Sequence, residues 1–529
     1  MDPGQSSDAR RLAVAIFFAF FGLYLLSSGR QPPFSDSNAL WQVADHLVQR
    51  GSVTVDVRWN APPGRDGKIY CLLPFVDSLV HVPGAALRVL AMKISPGIGE
   101  LILPLASHFG SAILGALTCV LTFGLARRFT GVGAASAATV IVGLGTLVWY
   151  YARSPYTEIF QTFAFTGYAL AFLDALDDPS ARAGRRIGLW AGLLFSTKLV
   201  YAVAIPGVAA VFAWRHRREL RRLLVFFAWA ALMMVPFVVV ILVYNWVRWG
   251  SFLDTGYGPI GGGRIWRGLW GLFFSPGKSI FLYCPPLVLA AVFLPRLARR
   301  NAAFVVALVA AFVPVLLVNA RFVHWDGDWG WGPRYLTFAV PAFSVPIALA
   351  VEAVLRSAHR RVLGALVAAV LAAGVAVQVI GAAFHWGYYF RIALAASESW
   401  LGQPRCAPGP TTCYPDDADI WALHWLPQFQ PIAGHAWMLR HVPFGDPWDV
   451  AERDAPWQLD GVRIHAPAAA SWYAGAVVDW WPIPWGRYAV TAAVLGSLMT
   501  LSMGLGAYRW WRAAASGAAP PPSPAERAA

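Results

Sequence analysis

Charged residues are scarce in this sequence of 529 residues. They make up 13% of the chain, whereas hydrophobic residues make up 57%. A water-soluble fold could not cover so much apolar surface with so few charges. The composition therefore excludes an ordinary soluble enzyme and predicts an all-α polytopic membrane protein, in which each crossing needs about 20 apolar residues.

Cysteine is also rare, with five residues in the chain. Cys71, Cys119 and Cys284 lie in or beside apolar runs and are interpreted as packing residues. Cys406 and Cys413 stand in a long polar segment, where they could form a disulfide in an oxidising compartment. The sequence alone does not decide whether they do.

The formal net charge is +14, which in a soluble protein would suggest nucleic acid as a partner. Here the arginines instead fall in short clusters between apolar runs, at 127–128, 182–186, 215–222, 296–300, 356–361 and 509–512. Such clustering is typical of cytoplasmic loops in membrane proteins. No nucleic-acid partner is therefore expected.

Eleven apolar runs are candidates for crossing the membrane: 12–28, 101–125, 132–150, 155–175, 187–214, 223–247, 280–295, 302–319, 335–354, 362–384 and 488–507. The fifth run decides the topology. As one helix of 28 residues it would be about 42 Å long and would separate the arginine clusters onto opposite faces. Two short crossings that meet near Lys198 keep all the clusters cytoplasmic. This interpretation predicts about twelve crossings (11–13), with both termini in the cytoplasm and the protein in the inner (plasma) membrane.

The predicted organisation is a transmembrane module over 1–384, an extracytoplasmic domain or cap over 385–487, a last crossing over 488–507 and a cytoplasmic, disordered tail over 508–529. The first outer loop, 29–100, contains "DSNALWQVADHLVQR" with apolar residues at helical spacing, which predicts an amphipathic helix. The following stretch "LLPFVDSLVHVPGAALRVL" is apolar but interrupted by Asp77, His81 and Pro83, so it is interpreted as interfacial.

Only four lysines occur in the chain, namely Lys68, Lys93, Lys198 and Lys278. On the predicted topology all four lie on or near the outer side, which is the reverse of the usual charge bias. Cations gathered there suggest an anionic ligand, and phosphate is the obvious candidate. Lys198 could instead be a snorkelling side chain, and Lys68 could belong to a solvated turn. Lys278 begins a predicted helix, where a cation is disfavoured unless an anion binds.

Two acidic residues stand at the outer ends of predicted helices. Asp36 follows the first crossing, and Glu158 lies in the first turn of another helix. Helix capping is the alternative explanation for both. If they share a site with the cations, a carboxylate could accept a proton from an attacking hydroxyl while the cations neutralise a departing phosphate.

The stretch "HWDGDWGWGPRY" combines aromatic, acidic and glycine residues. Asp326 and Asp328 could hold a divalent cation beside a phosphate, although the signal is weak and the metal is left unknown. His324 and Trp325 are candidate contacts for an acceptor or a sugar, together with the two aspartates, while an aromatic belt at the membrane interface is the alternative. Arg334 starts the next helix, where an anion explains an outer arginine better than topology does.

In the order of its motifs, the sequence resembles the GT-C membrane glycosyltransferases, in the branch of protein O-mannosyltransferase-like and aminoarabinose-transferase-like enzymes. The resemblance covers roughly 12–385. It rests on "SDSNALWQVADHLVQRG", "GKIY", "GLLFSTKLVYAVAIP", "GSFLDTGYG", "GLFFSPGKSIFLYCPP" and "WGWGPRYL". The chain departs from the family's pattern in two places, with a single acid in "SDS" and with "IYCLLP" in place of a Lys-Pro-Pro pattern.

The resemblance implies an enzyme that moves a sugar from a polyprenyl-phosphate donor to a lipid, glycan or protein acceptor outside the cytoplasm, with inversion. Asp36 would be the general base and Glu158 a second acidic residue. Lys68, Lys198 and Arg334 would meet the donor phosphate, and Lys278 is added to them for its charge. No cofactor is implied with certainty.

Two other classes of protein stay open at this stage. A flippase of lipid-linked glycans would use the same lysines as a path for a diphosphate, but it would spread its charges through the bilayer. A polymerase or ligase of surface polysaccharide would favour outer loops rich in arginine. The concentration of a few cations at one face favours the transferase.

Overall fold

The structure is a computed structural model that describes residues 3–29, 36–56, 63–257, 262–327, 330–390, 392–393, 421–441, 479 and 489–515. This part of the chain is helical without a β-strand, and three isolated bridges pair loop residues. The prediction of an all-α fold is confirmed for these residues. Asp328, Cys406 and Cys413 lie outside them.

The described residues up to position 215 form ten α-helices: α1 (Pro3–Leu26), α2 (Asp36–Arg50), α3 (Phe75–Leu79), α4 (Val82–Ile94), α5 (Pro96–Arg127), α6 (Val132–Gly145), α7 (Leu147–Ala152), α8 (Glu158–Ala175), α9 (Ala181–Thr197) and α10 (Ala204–Arg215). The later described helices are α11 (Leu220–Trp249), α12 (Ile265–Phe274), α13 (Ile280–Tyr283), α14 (Leu287–Arg300), α15 (Ala302–Arg321), α16 (Ser344–Arg356), α17 (Arg360–Ala383), α18 (Trp421–Trp425), α19 (Pro431–His441) and α20 (Ala489–Ala515). Short 3-10 helices span Leu199–Val203, Arg334–Phe343 and Pro427–Phe429.

The chain breaks at Lys198, as the sequence predicts. α9 ends at Thr197, Lys198 is extended with φ −166° and ψ 131°, and a 3-10 turn leads into α10. α9 packs closely along α11 because its glycines leave room for the partner backbone. A Cβ on Gly188 would come within 2.3 Å of the carbonyl oxygen of Ala230. Small residues at such spacing are a common way for membrane helices to approach each other.

Several predicted helix boundaries need correction. The run 132–150 is not one helix but is divided at Thr146, which is extended and accepts a hydrogen bond from the backbone of Val148. The run 280–295 is divided at Pro285 and Pro286, because proline lacks the backbone donor of a helix interior. α12 lies in a segment for which no helix was predicted, although "IWRGLWGLFF" is apolar and of helical length.

Five of the described helical segments are long and apolar enough to cross a membrane: Pro96–Arg127, Leu220–Trp249, Ala302–Arg321, Arg334–Arg356 and Arg360–Ala383. Two shorter apolar segments are Val132–Gly145 and Leu199–Arg215. α11 exposes a row of large aliphatic side chains, such as Leu232 and Val239, which suits contact with lipid. The chain is therefore a membrane protein, while the count of about twelve crossings and the orientation of the termini stay predictions.

The first outer loop folds against the bundle. The apolar spacing of α2 singles out Ala39, Leu40, Val43, Ala44, Leu47 and Val48, and the first four of these side chains are buried. The stretch "LLPFVDSLVHVPGAALRVL" contains two helices, α3 and α4, that meet near His81. α4 packs against α2 and α5. This packing places the N-terminus of α2 and the short helix α3 beside the core of the bundle.

Candidate active site

A guanidinium and two carboxylates meet at one end of the bundle. Arg334 Nη1 lies 3.4 Å from Glu158 Oε1 and 4.0 Å from Asp36 Oδ2. Glu158 is buried, with 3% of its side chain exposed, whereas a third of the Asp36 side chain stays accessible. The second oxygen of Glu158, Oε2, is buried and has no hydrogen-bond partner among the described residues.

Each of the three side chains stands at the start of a helical segment. Asp36 is the first residue of α2, Glu158 the first of α8, and Arg334 the first of the 3-10 helix that packs along α8. Both acids thus lie where a helix dipole favours negative charge, so the dipole role considered for them is compatible with the geometry. The ion pair with Arg334 adds a contact that capping alone does not require.

Lys198 belongs to the same cluster. Lys198 has an extended backbone at the break. Its Nζ lies 4.2 Å from the centroid of the Tyr335 ring, in the 3-10 helix Arg334–Phe343, and makes a cation–π contact with it. It interacts electrostatically with Glu158, Asp36 and Arg334. The side chain is only partly buried. The cluster therefore combines two cations and two acids from four segments that are distant in sequence.

A third acid, Asp77, lies beside these groups and is missing from the residues predicted for the site. It is 3% exposed in α3 and interacts electrostatically with Glu158 and Lys198. Neither carboxylate oxygen has a hydrogen-bond partner among the described residues. The signal was present in the sequence, because an acid that interrupts an apolar run calls for an explanation as much as Lys198 does.

Lys278 has partners of a different kind. It is fully buried, and Nζ donates to the carbonyl oxygens of Gly330 at 2.9 Å and Gly332 at 3.3 Å. These carbonyls belong to the turn before Arg334, which is also held by a hydrogen bond from Tyr151 Oη to the Trp331 carbonyl at 2.8 Å. Gly332 has φ +65°, a left-handed conformation that favours glycine. Lys278 thus supports the turn that presents Arg334.

Lys68 lies on the surface of the first outer loop. Its Nζ is 3.3 Å from Asp66 Oδ2, and 64% of its side chain is exposed. The backbone of Lys68 also donates to Asp66, and Tyr70 donates to the same carboxylate. These contacts match the solvated turn that was considered as the alternative for this residue.

The described residues of "HWDGDWGWGPRY" are more deeply packed than an open binding surface would be. Asp326 Oδ2 lies 3.0 Å from His424 Nδ1, and both side chains are 2% exposed. Trp325 is buried and packs against Trp425, while His324 is partly exposed and contacts Phe322. The described residues contain no group of three or more His, Cys, Asp or Glu placed to hold a metal ion.

Burial and nearby cations set the state of His424. Burial first, and then Lys278 and Arg267, lower the pKa of His424 well below its usual value. The imidazole is therefore neutral at physiological pH, and its Nδ1 lies within hydrogen-bond distance of Asp326 Oδ2. The pair ties α18, from the segment after the bundle, to the segment that precedes Arg334.

The cluster of Asp36, Glu158, Lys198 and Arg334 suits chemistry in which negative charge appears beside fixed cations. Lys198 and Arg334 can stabilise a phosphate that departs. Asp36 is the accessible carboxylate and can take a proton from a hydroxyl that enters the cluster, whereas Glu158 is enclosed.

Comparison with known proteins finds similarity only among solved structures, since no protein-family model and no curated protein matches the chain. ArnT from Cupriavidus metallidurans in the apo state is 15% identical, with a TM-score of 0.47 over 97% of this chain and 76% of that chain. The same protein bound to undecaprenyl phosphate is 14% identical, with a TM-score of 0.45 over 97% and 78% of the two chains.

The archaeal oligosaccharyltransferase AglB from Archaeoglobus fulgidus, in complex with an inhibitory peptide and a dolichol-phosphate, is also similar. It is 12% identical, with a TM-score of 0.42 over 77% of this chain and 61% of that chain.

Proposed function

We propose that this protein is a membrane glycosyltransferase that moves one sugar from a polyprenyl-phosphate donor to an acceptor hydroxyl on a lipid, glycan or protein at the extracytoplasmic face. The observation that carries the proposal is the convergence of Asp36, Glu158, Lys198 and Arg334, with Arg334 Nη1 3.4 Å from Glu158 and 4.0 Å from Asp36. Enclosed charges that converge from distant parts of the chain are typical of a functional site rather than of a solvated surface.

In the proposed reaction the acceptor oxygen forms a bond to the anomeric carbon, and its proton passes to Asp36. The bond between the anomeric carbon and the phosphate oxygen breaks, and the phosphate keeps the electron pair. Lys198 and Arg334 neutralise the charge that develops on the phosphate. Attack from the face opposite the phosphate inverts the anomeric centre. Glu158 keeps Arg334 in place through the ion pair.

The donor phosphate is assigned to Lys198 and Arg334 rather than to Lys68 or Lys278. Lys68 is paired with Asp66 at the surface, and Lys278 donates to backbone carbonyls. Lys198 is partly exposed and contacts an aromatic ring, so its ammonium group can still bind an anion.

The test uses membranes from cells that express the protein, which supply acceptors, and a panel of polyprenyl-phosphate sugars with a labelled sugar. We expect Asp36→Asn to lower transfer by about 10²- to 10⁴-fold, because the general base is removed, while donor binding persists. Asp66→Asn, which changes a carboxylate in the same loop, is the matched control and should transfer normally. Near-normal turnover of Asp36→Asn would overturn the assignment of the base.

The same assay separates the transferase from a flippase. A transferase forms a new glycosidic bond and releases polyprenyl phosphate, so label leaves the lipid donor. A flippase would move labelled donor across a vesicle membrane with its sugar–phosphate bond intact. Translocation without bond exchange would refute the proposed reaction.

A further inference from the structure

When Asp77 is counted with the cluster of Asp36, Glu158, Lys198 and Arg334, acids outnumber cations by one. Asp36, Glu158 and Asp77 are three carboxyl groups, and Lys198 and Arg334 are two cations that interact with them. If all five ionise, their net charge is −1, which opposes the entry of a phosphate. One bound proton makes the same five groups neutral. Admission of an anion is therefore easier when one carboxyl group is protonated.

Asp77 is the carboxyl group best suited to hold that proton. Asp36 is partly open to solvent, and Glu158 has the Arg334 guanidinium at 3.4 Å. Asp77 is buried, and neither of its oxygens has a hydrogen-bond partner among the described residues. An ionised carboxylate without hydrogen bonds is expensive to bury, whereas the neutral acid is much less so.

We propose that Asp77 carries a proton when an anionic phosphate binds beside Lys198, so that donor binding is linked to proton uptake at this residue. This inference rests on the proposed function, since it concerns the phosphate of the same donor. Asp77 then acts as a positioning residue. In its neutral form it removes one of the three carboxylates that compete with a phosphate for the Lys198 ammonium, and Lys198 meets the phosphate.

The electrostatic surroundings of Asp77 are consistent with this role. Burial raises the pKa of the Asp77 carboxyl well above its usual range, Glu158 raises it further, and Lys198 opposes the shift. A bound phosphate would add negative charge and raise the pKa again. The titratable and charged groups around α3 are Asp36 on α2, Glu158 on α8, Lys198 and Tyr201 after α9, Tyr244 and Arg248 on α11, Tyr257 after α11, and Cys71 before α3.

Within the window from pH 4 to 9, the cysteine of this set does not titrate, because burial raises the pKa of Cys71 to about 12. Asp36, Glu158 and Lys198 remain as other ionisable groups of the cluster, so the wild-type protein must be compared with a variant that removes only the Asp77 carboxyl. Asp77→Asn retains the shape of a protonated aspartate but cannot ionise. Asp66→Asn, which changes an exposed acid earlier in the same loop, is the matched control.

The experiment measures binding of a short-chain polyprenyl methyl phosphate, a diester that keeps one negative charge throughout this window. In the wild-type protein we expect affinity to fall by about tenfold per pH unit above the Asp77 midpoint, because one proton is bound with the ligand. In Asp77→Asn the affinity should stay constant across the whole pH window, near the value that the wild-type protein has at low pH. Asp66→Asn should follow the wild-type curve.

A second measurement needs no variant and covers the case in which Asp77→Asn does not fold. Calorimetry of wild-type binding in two buffers with different ionisation enthalpies gives the number of protons taken up, which should approach one above the midpoint. Uptake of no proton, or the same pH slope in Asp77→Asn as in the wild type, would overturn the role of Asp77 and leave the proposed transferase intact. If the wild-type protein does not bind the diester at any pH, the polyprenyl-phosphate donor itself is refuted.

Discussion

Arg334 and Glu158 form a buried ion pair between the 3-10 helix Arg334–Phe343 and the first turn of α8, with Nη1 3.4 Å from Oε1. The guanidinium is 12% exposed and the carboxylate 3%. Each charge depends on the other, because a single charge in such a place would lack compensation. The pair fixes the position of Arg334 next to Asp36.

Removing one partner should therefore be worse than removing both. Arg334→Met leaves the Glu158 carboxylate buried without its cation, and we expect the free energy of unfolding to fall by about 3–5 kcal/mol. Arg334→Met combined with Glu158→Gln should recover much of this loss in thermal unfolding in detergent, while transfer stays abolished in both proteins. The exposed pair Arg222 and Glu219 is the control and should show a coupling below about 1 kcal/mol. Additive losses at Arg334 and Glu158 would contradict the pair.

Lys198→Ala should weaken binding of the donor phosphate. Loss of a charged hydrogen bond of about 1.5–3 kcal/mol corresponds to a roughly 10- to 100-fold decrease in affinity. Equilibrium binding of a labelled polyprenyl phosphate gives the answer, and Lys93→Ala, at the exposed end of α4, is the matched control. Unchanged donor affinity in Lys198→Ala would remove Lys198 from the proposed site.

Substitution by methionine should destabilise the protein at Lys278 much more than at Lys68. Lys278→Met leaves the carbonyls of Gly330 and Gly332 without this donor, and we expect a loss of about 1–3 kcal/mol in stability together with lower transfer, because the turn before Arg334 loses support. Lys68→Met removes only an exposed ion pair and should change stability by less than about 1 kcal/mol. Thermal unfolding compares the two, and equal losses would show that burial does not distinguish them.

His81 should make the protein sensitive to acid. Burial lowers the pKa of His81 from 6.5 to about 4, against a hydrogen bond between its Nδ1 and the Ser107 carbonyl at 3.0 Å. The imidazole is neutral in the folded protein, so its contribution is complete above pH 6.5. Between pH 6.5 and 4 the unfolded chain binds a proton that the folded chain does not, and up to about 3 kcal/mol of stability is lost.

His81→Gln, which can still donate to Ser107, should flatten this part of the pH profile of the unfolding temperature. His359→Gln, at an exposed position, is the control and should leave the wild-type profile unchanged. If the unfolding temperature of His81→Gln depends on pH as in the wild type, other groups cause the acid sensitivity.

The face to which the Lys198 break opens can be tested with a single cysteine. In a background with Cys406 and Cys413 replaced by serine, Leu199→Cys should react with a membrane-impermeant thiol reagent added outside, because Leu199 is partly exposed next to the break. The remaining Cys71, Cys119 and Cys284 are buried. Arg218→Cys, in an arginine cluster, should react only from the cytoplasmic side. The reverse pattern would invert the predicted topology.

The sequence by itself determined the class of the protein and several of its local features. A composition poor in charge and rich in apolar residues leaves few alternatives to a helical membrane protein, because backbone groups in lipid must be paired within helices. Arginine clusters on both sides of one overlong run located the break at Lys198. Apolar spacing located α2 and four residues that it buries.

Only the tertiary structure decided which charges share a site. The sequence does not show what Lys68, Lys198 and Lys278 each contact, because the partner of an isolated lysine can be a surface acid, a ligand or a backbone carbonyl. The structure separates them by burial and contacts, pairs Asp326 with His424, and brings Asp77 beside Glu158 and Lys198. These relationships join residues from distant helices, and they depend on how the helices pack rather than on any local pattern.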